Sequence, residues 1–269
     1  MPSIMVSNQK GNFPLFYRET NTTGKPVVLL LHGLGATGES WQLQTPELVK
    51  AGMRVVAPDL PGFGESGHPD GGILIRSMAE SMATLLHKVV DDPVIVVGIS
   101  MGGVVALQLA LGHPQLIRKL VLVNTFARLT PDSLNGWVYL LRRYVMLNMQ
   151  GISAQADYVA KRIFPKPEQE VPRATLKQEI LQSDPKVYRG AMRALGFYNV
   201  VGRLKELSLP VLVVSGENDT TVPLKNQYYL AEHIKGAQHV LIPEAGHAVI
   251  ADQPERFNQV LLDYLLCTS

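Results

Sequence analysis

Six short apolar runs recur along the chain, and none of them alternates with polar residues: Val27-Val28-Leu29-Leu30-Leu31, Val55-Val56-Ala57, Val94-Ile95-Val96-Val97, Leu120-Val121-Leu122-Val123, Val211-Leu212-Val213-Val214 and Val240-Leu241-Ile242. A strand with one wet face alternates. A continuous run is buried on both faces, as in a parallel sheet sandwiched between helices. Helix-period segments separate the runs. Over 77–90, Met78, Met82, Leu85, Leu86 and Val89 share one face, the segment 101–111 ends at His113-Pro114, and 254–266 carries a proline in its first turn. Strand alternating with helix predicts βαβ units, and so an α/β fold with a doubly wound, mostly parallel sheet. Residues 4–6 and 15–18 are expected to add an antiparallel pair at one edge, which makes the sheet eight-stranded.

The alternation stops between Asn124 and Pro210, where four helical stretches are predicted, roughly 132–150, 154–164, 173–182 and 185–204, punctuated by Pro165, Pro167, Pro172 and Pro185. The chain therefore divides into a core, 1–124 and 205–269, and a helical cap or lid, 125–204, inserted above the C-terminal ends of the strands. Ligands of open α/β sheets bind at that edge, so a layer placed there shapes access to a site; added structural bulk is the plainer alternative.

Composition excludes several classes. With 25 basic against 23 acidic residues and no basic block, nucleic acid is not an expected partner. A single cysteine, Cys267, rules out an intrachain disulfide and suits a reducing compartment. The start "MPSIMVSNQKGNFPLFYRET" lacks a cationic segment followed by an apolar stretch. The apolar runs fall well short of the roughly 18 residues of a membrane helix. These features predict a cytoplasmic protein with no membrane partner. No His/Cys/Asp cluster has metal-ligand spacing and no G-x-G-x-x-G is present, so neither a metal nor a dinucleotide cofactor is expected.

The stretch "VGISMGG" sets three glycines around Ser100 between two apolar runs. An abrupt strand-to-helix turn brings backbone so close that a Cβ at Gly98 or Gly102 would clash, and it holds Ser100 out above the sheet at a helix N-terminus. A serine hydroxyl needs a base to act as a nucleophile. Of seven histidines, His87 and His233 lie in helical patterns, His113 ends a helix, His68 sits in the loop "SGHPDGG", His239 starts a strand and His32 lies in "LLHGLG". His247, in "IPEAGHAVI" just past the last strand, is the predicted base. A buried carboxylate must then fix its tautomer. "VVSGENDTTVP" offers Glu217 and Asp219, and Asp219 is preferred because the turn carries it beyond the strand end; an Asx turn is its plainer role. The developing oxyanion needs donors, for which the Met101 N–H after the nucleophile and the Leu34 N–H in "HGLG" are the candidates, with His32 orienting that loop.

Taken in order, "LLHGLG", "APDLPGFGES", "VGISMGG", "GENDTTVP" and "AGH" resemble the α/β-hydrolase family over nearly the whole chain. Within it the chain is similar to small bacterial carboxylesterases, enol-lactonases and carbon–carbon bond hydrolases. The resemblance implies the α/β-hydrolase fold with a helical cap, and an activity that uses Ser100, Asp219 and His247 without a cofactor. Epoxide hydrolases and dehalogenases share the "DLPGFGES" loop but place aspartate where Ser100 stands. The expected function is a serine carboxylesterase acting on small to medium hydrophobic esters, with Trp137, Leu141 and Phe197 of the cap as substrate-binding candidates. Cap arginines such as Arg142, Arg143, Arg189 and Arg193 are open either to carboxylate binding or to solvated helix faces. A carbon–carbon hydrolase of diketo acids is the runner-up, lowered by Leu34-Gly35-Ala36 and Ala248; a lactonase stays open, and a receptor-like hydrolase that binds more than it turns over is the lesser alternative. A homodimer is compatible with all of these readings.

Overall fold

The computed structural model describes residues 2–8, 11–68, 72–131 and 133–267. One sheet holds β1 (Ser3–Asn8), β2 (Gly11–Thr20), β3 (Val27–Leu31), β4 (Arg54–Pro58), β5 (Val94–Ile99), β6 (Ile117–Val123), β7 (Val211–Gly216) and β8 (Gln238–Ile242), in the order β1-β2-β4-β3-β5-β6-β7-β8. The pairs β1–β2 and β2–β4 are antiparallel, and every other pairing is parallel. The helices are α1 (Thr45–Lys50), α2 (Ile75–Val89), α3 (Met101–Gly112), α4 (Leu134–Met149), α5 (Gly151–Ile163), α6 (Glu170–Gln182), α7 (Pro185–Phe197), α8 (Leu224–His233), α9 (Val249–Asp252) and α10 (Pro254–Leu266).

The continuous apolar runs have the expected cause in the inner strands, whereas β8 is an edge strand in which only Ile242 is buried and Val240 and Leu241 are half-buried. Every residue of β3, β5 and β7 is buried. Their side chains divide by parity between two cores. Leu29, Leu31, Val94 and Val96 join α2 and α3 on one face, while Val28, Leu30, Ile95 and Val97 join Trp41 and the Phe257 and Leu261 side chains of α10 on the other. Each such side chain contributes about 1.5–3 kcal/mol of burial. The strand β6 starts at Ile117, before the run at Leu120, because Lys119 is taken into the sheet. Its Nζ donates to the carbonyls of Tyr264 (2.9 Å) and Cys267 (2.8 Å), capping the end of α10.

Between β6 and β7 lie α4 to α7. The sequence predicts a first helix from residue 132, which lies outside the described residues; the observed helix starts at Leu134, with Ser133 as its N-cap. The last one ends at Phe197 instead of 204, since Asn199 turns extended and bridges Arg128; a separate 3-10 turn, Val201–Glu206, follows. The insertion packs onto loops at the C-terminal edge of the sheet. A methyl group at Gly35 would lie 2.8 Å from both Ile180 of α6 and Tyr188 of α7, and one at Gly62 would lie 2.6 Å from Val187. Residues Leu147, Ala156, Ile180, Tyr188 and Leu195 of the insertion belong to the same apolar cluster as the α2–α3 face.

One helix reverses the expectation from its hydrophobicity. On α4 the buried residues are Tyr139, Arg143 and Leu147, at helical spacing. Its larger apolar set, Leu134, Trp137, Val138, Leu141, Tyr144, Val145 and Met149, faces solvent. No helix among the described residues is long and apolar enough to cross a membrane.

Candidate active site

Ser100 stands between β5 and α3 with φ 53° and ψ −116°, a left-handed conformation that costs a non-glycine residue on the order of 1–3 kcal/mol. The surroundings enforce it. A Cβ on Gly98 would strike the Gly102 carbonyl, and one on Gly102 would strike the backbone of Leu31. The Ser100 amide donates to the Val123 carbonyl (2.9 Å), and its own carbonyl accepts from the Val104 amide (3.1 Å) and the Thr125 hydroxyl (2.7 Å).

The structure brings Ser100 together with two of the residues singled out in the sequence. The Ser100 hydroxyl lies 3.0 Å from His247 Nε2, and His247 Nδ1 lies 2.9 Å from Asp219 Oδ2. Both His247 and Asp219 are buried. Asp219 is held from every side: Oδ1 accepts the amides of Thr221 (2.8 Å) and Val222 (2.9 Å), and Oδ2 accepts Gln227 Nε2 (3.0 Å). An acceptor-only carboxylate on the Nδ1 side fixes the proton there. Nε2 is left to accept from the serine hydroxyl. The Asx-turn bonds and the bond to histidine coexist on one side chain. Glu217 is exposed and accepts the Glu244 amide (2.9 Å), on the outside of the same loop.

The start of α3 and the loop after β3 border the serine. Met101 opens α3, so its N–H has no intrahelical acceptor and sits at the positive end of the helix. The loop carrying Leu34 runs beside it, and a methyl group at Gly33 would lie 3.7 Å from Ser100 Cβ. His32 anchors that loop. Its Nδ1–H donates to the Gly33 carbonyl (2.8 Å), and its Nε2 accepts the Leu60 amide (2.8 Å). Burial pushes this imidazole down to about 4, so it is neutral at physiological pH. Asp59 holds the next loop by accepting the amides of Gly38 (2.8 Å) and Glu65 (3.1 Å) and pairing with Arg18 (2.7 Å).

Sequence reasoning passed over Asn124, which is fully buried with φ 44°. Its Nδ2 donates to the carbonyls of His247 (2.6 Å) and Gly246 (3.1 Å), and its Oδ1 accepts the Gly216 amide (2.8 Å). One side chain thus ties the end of β6 to the loops bearing the carboxylate and the imidazole. The available signal was a polar pair, Asn124-Thr125, directly after an apolar strand.

The three cap residues singled out for substrate contact are placed elsewhere. Trp137 is 59% exposed and Leu141 64% exposed, on the face of α4 opposite Arg143. Phe197 is 84% exposed and lines a lateral cavity of about 800 Å³ with Ile73, Gln108 and Val187, a lining that does not include Ser100. Among the described residues no group of three His, Cys, Asp or Glu is arranged to hold a metal ion.

This arrangement can draw a proton from a serine hydroxyl, hold the resulting imidazolium against a buried carboxylate, and offer amides to an oxyanion. Comparison with known proteins agrees with the architecture. The family model described as "alpha/beta hydrolase fold" matches residues 26–254. A protein of Serratia proteamaculans named "Putative carbamate hydrolase RutD" is 32% identical over 250 residues, covering 90% of this chain and 92% of that protein. Among solved structures, a thermophilic esterase from Thermogutta terrifontis is 28% identical with a TM-score of 0.82, covering 98% of each chain. The enol-lactonase of Burkholderia xenovorans LB400 is 26% identical with a TM-score of 0.85, covering 94% of this chain and 96% of that one.

Proposed function

The chain belongs to the α/β-hydrolase family, and from that premise we propose that it is a serine hydrolase cleaving carboxylic esters of small to medium hydrophobic substrates through an acyl-enzyme. The observation that carries this reading is the unbroken relay from Ser100 through His247 to Asp219, with links of 3.0 and 2.9 Å. His247 takes the hydroxyl proton as Ser100 attacks the carbonyl, and the amides of Leu34 and Met101 receive the oxyanion. His247 then protonates the departing alcohol, and water repeats the sequence on the acyl-enzyme. Segment 125–204 acts as the cap that limits access. The partner is a small molecule in the cytoplasm, with neither nucleic acid nor membrane involved.

A second reading has a specific support. The relatives include proteins named as carbamate hydrolases. A carbamate presents the same carbonyl to the same relay, with nitrogen in place of carbon on the acyl side. A lactone opens by the same steps, its alcohol staying attached.

The test is initial rates on p-nitrophenyl esters of increasing acyl length and on a p-nitrophenyl carbamate, for wild type beside Ser100→Ala. Cleavage by wild type and none by the variant supports the reading, and the profile ranks ester against carbamate. Equal rates in both proteins, or inert wild type on every carbonyl substrate, overturn it.

A further inference from the structure

The interior of the insertion holds a charge that the relay does not use. Arg143 is buried on the inner face of α4 and is 8% exposed. Its Nη2 donates to the Tyr188 hydroxyl (3.0 Å) and its Nη1 to the Tyr139 hydroxyl (3.5 Å). The Gln155 carboxamide, with its oxygen turned to the guanidinium, accepts from Nε (2.9 Å) and Nη2 (3.1 Å). None of these acceptors is a carboxylate. Arg143 is in none of the ion pairs found among the described residues. Two other arginines drawn partly inside are paired, Arg18 with Asp59 and Glu39 and Arg54 with Glu19, while the half-buried Arg162 and Arg173 donate to backbone carbonyls. Burying a cation without an anion is costly, and its planar fork is shaped for a carboxylate.

Tyr188 connects this charge to the site. It is fully buried, its hydroxyl is held by Arg143, and its ring edge lies against Gly35, next to Leu34 in the loop that borders Ser100. The guanidinium is therefore one tyrosine ring from the loop that supplies an oxyanion amide. We propose that Arg143 is the receptor for a carboxylate carried by the substrate, at the end of a short acyl chain remote from the bond that breaks. This rests on the serine-hydrolase reading and narrows it to acids that are also esters, lactones or carbamates. Nη1, with its single long bond, has donor capacity left for such a group.

A charge-matched substrate pair tests it: mono-p-nitrophenyl glutarate against p-nitrophenyl pentanoate. Wild type is expected to favour the glutarate in kcat/KM by about tenfold or more, through KM. Arg143→Gln is expected to bring the ratio of the two near one, and Arg143→Lys to restore part of it. A wild type that favours the pentanoate, or an Arg143→Gln that slows both esters equally, overturns the proposal and leaves Arg143 as a tie between cap helices. Calorimetric titration of glutarate separates this from the parent reading. Binding to wild type that weakens about tenfold or more in Arg143→Gln and partly returns in Arg143→Lys supports the carboxylate site even if neither ester is cleaved. No saturable glutarate binding to wild type together with two inert esters overturns both.

Discussion

Replacing Glu179 by glutamine should stabilise the protein at alkaline pH and do little at acidic pH. Glu179 lies on α6 in a polar groove of about 660 Å³ between insertion and core, which Arg18, Thr37, Glu39, Asp59 and Glu65 also line. Burial and then the carboxylates of Asp59 and Glu39 push its carboxyl from 4.5 up to about 7, against partial relief from Thr37 and Arg18. The folded protein holds this proton more tightly than the unfolded chain. Ionising Glu179 therefore costs stability, beginning as pH rises past 4.5 and complete above 7. Linkage sets an upper bound of about 3 kcal/mol. Solvent in the open groove screens this to an expected 1–2 kcal/mol or about half the bound. For a chain of this size each kcal/mol moves Tm by about 2–4 °C. Thermal unfolding of wild type and Glu179→Gln between pH 5 and 9 should show the variant melting higher by about 2–8 °C at pH 9. That gap should close as pH falls through 7. A gap that stays constant with pH, or a variant that melts lower at pH 9, refutes the assignment of Glu179 as a carboxyl kept protonated by its neighbours.

Other substitutions probe the relay and its supports. Asp219→Asn should lower kcat by about 10⁴ by presenting the wrong tautomer of His247, whereas Glu217→Gln, on the exposed side of the same loop, should stay near wild type in steady-state kinetics; the reverse order would move the carboxylate role to Glu217. Asn124→Ala removes three hydrogen bonds and leaves the Gly216 amide without its acceptor. It should cost about 1–3 kcal/mol in denaturant unfolding and lower kcat more than it raises KM; an unchanged kcat would show that the imidazole loop holds itself. The exposed face of α4 has seven large apolar side chains, and the helix contains no acidic residue, so two copies can appose there without carboxylate repulsion. Sedimentation should find a dimer at micromolar concentration and a monomer for Leu141→Glu; monomeric wild type would rule the α4 dimer out.

The strands and the relay were legible for the same reason. A parallel strand covered on both faces leaves a continuous apolar run in the sequence, and whatever follows it emerges at the C-terminal edge of the sheet. Ser100 and Asp219 each follow such a run and His247 follows the apolar end of the edge strand β8, so local pattern alone brought them to one edge. The residues that hold them in register left no comparable mark. Asn124 reaches partners 92 to 123 positions away, and Gln227 takes its place through the packing of α8 against β7, so neither has a local spacing to betray it.

The insertion was legible as helices but not as faces. A helix docked on a flat sheet buries its apolar stripe, so hydrophobicity names the inner side. The insertion helices dock instead on loops and on one another, with Gly35 and Gly62 providing flat landing points for Tyr188 and Val187. There the inner side is decided by hydrogen-bond partners as much as by apolar area. In α4 the buried stripe runs Tyr139, Arg143, Leu147, and Arg143 can be buried because Tyr139, Tyr188 and Gln155 converge on it from α4, α7 and α5. Two of those acceptors lie on other helices, and none is visible from the spacing of α4 itself. Trp137 and Leu141 were chosen by size and apolarity and belong to the stripe left outside. Their exposure and the burial of Arg143 are one fact about α4: the Tyr139-Arg143-Leu147 stripe carries the contacts to the interior of the insertion, and the larger apolar face is open for whatever covers it.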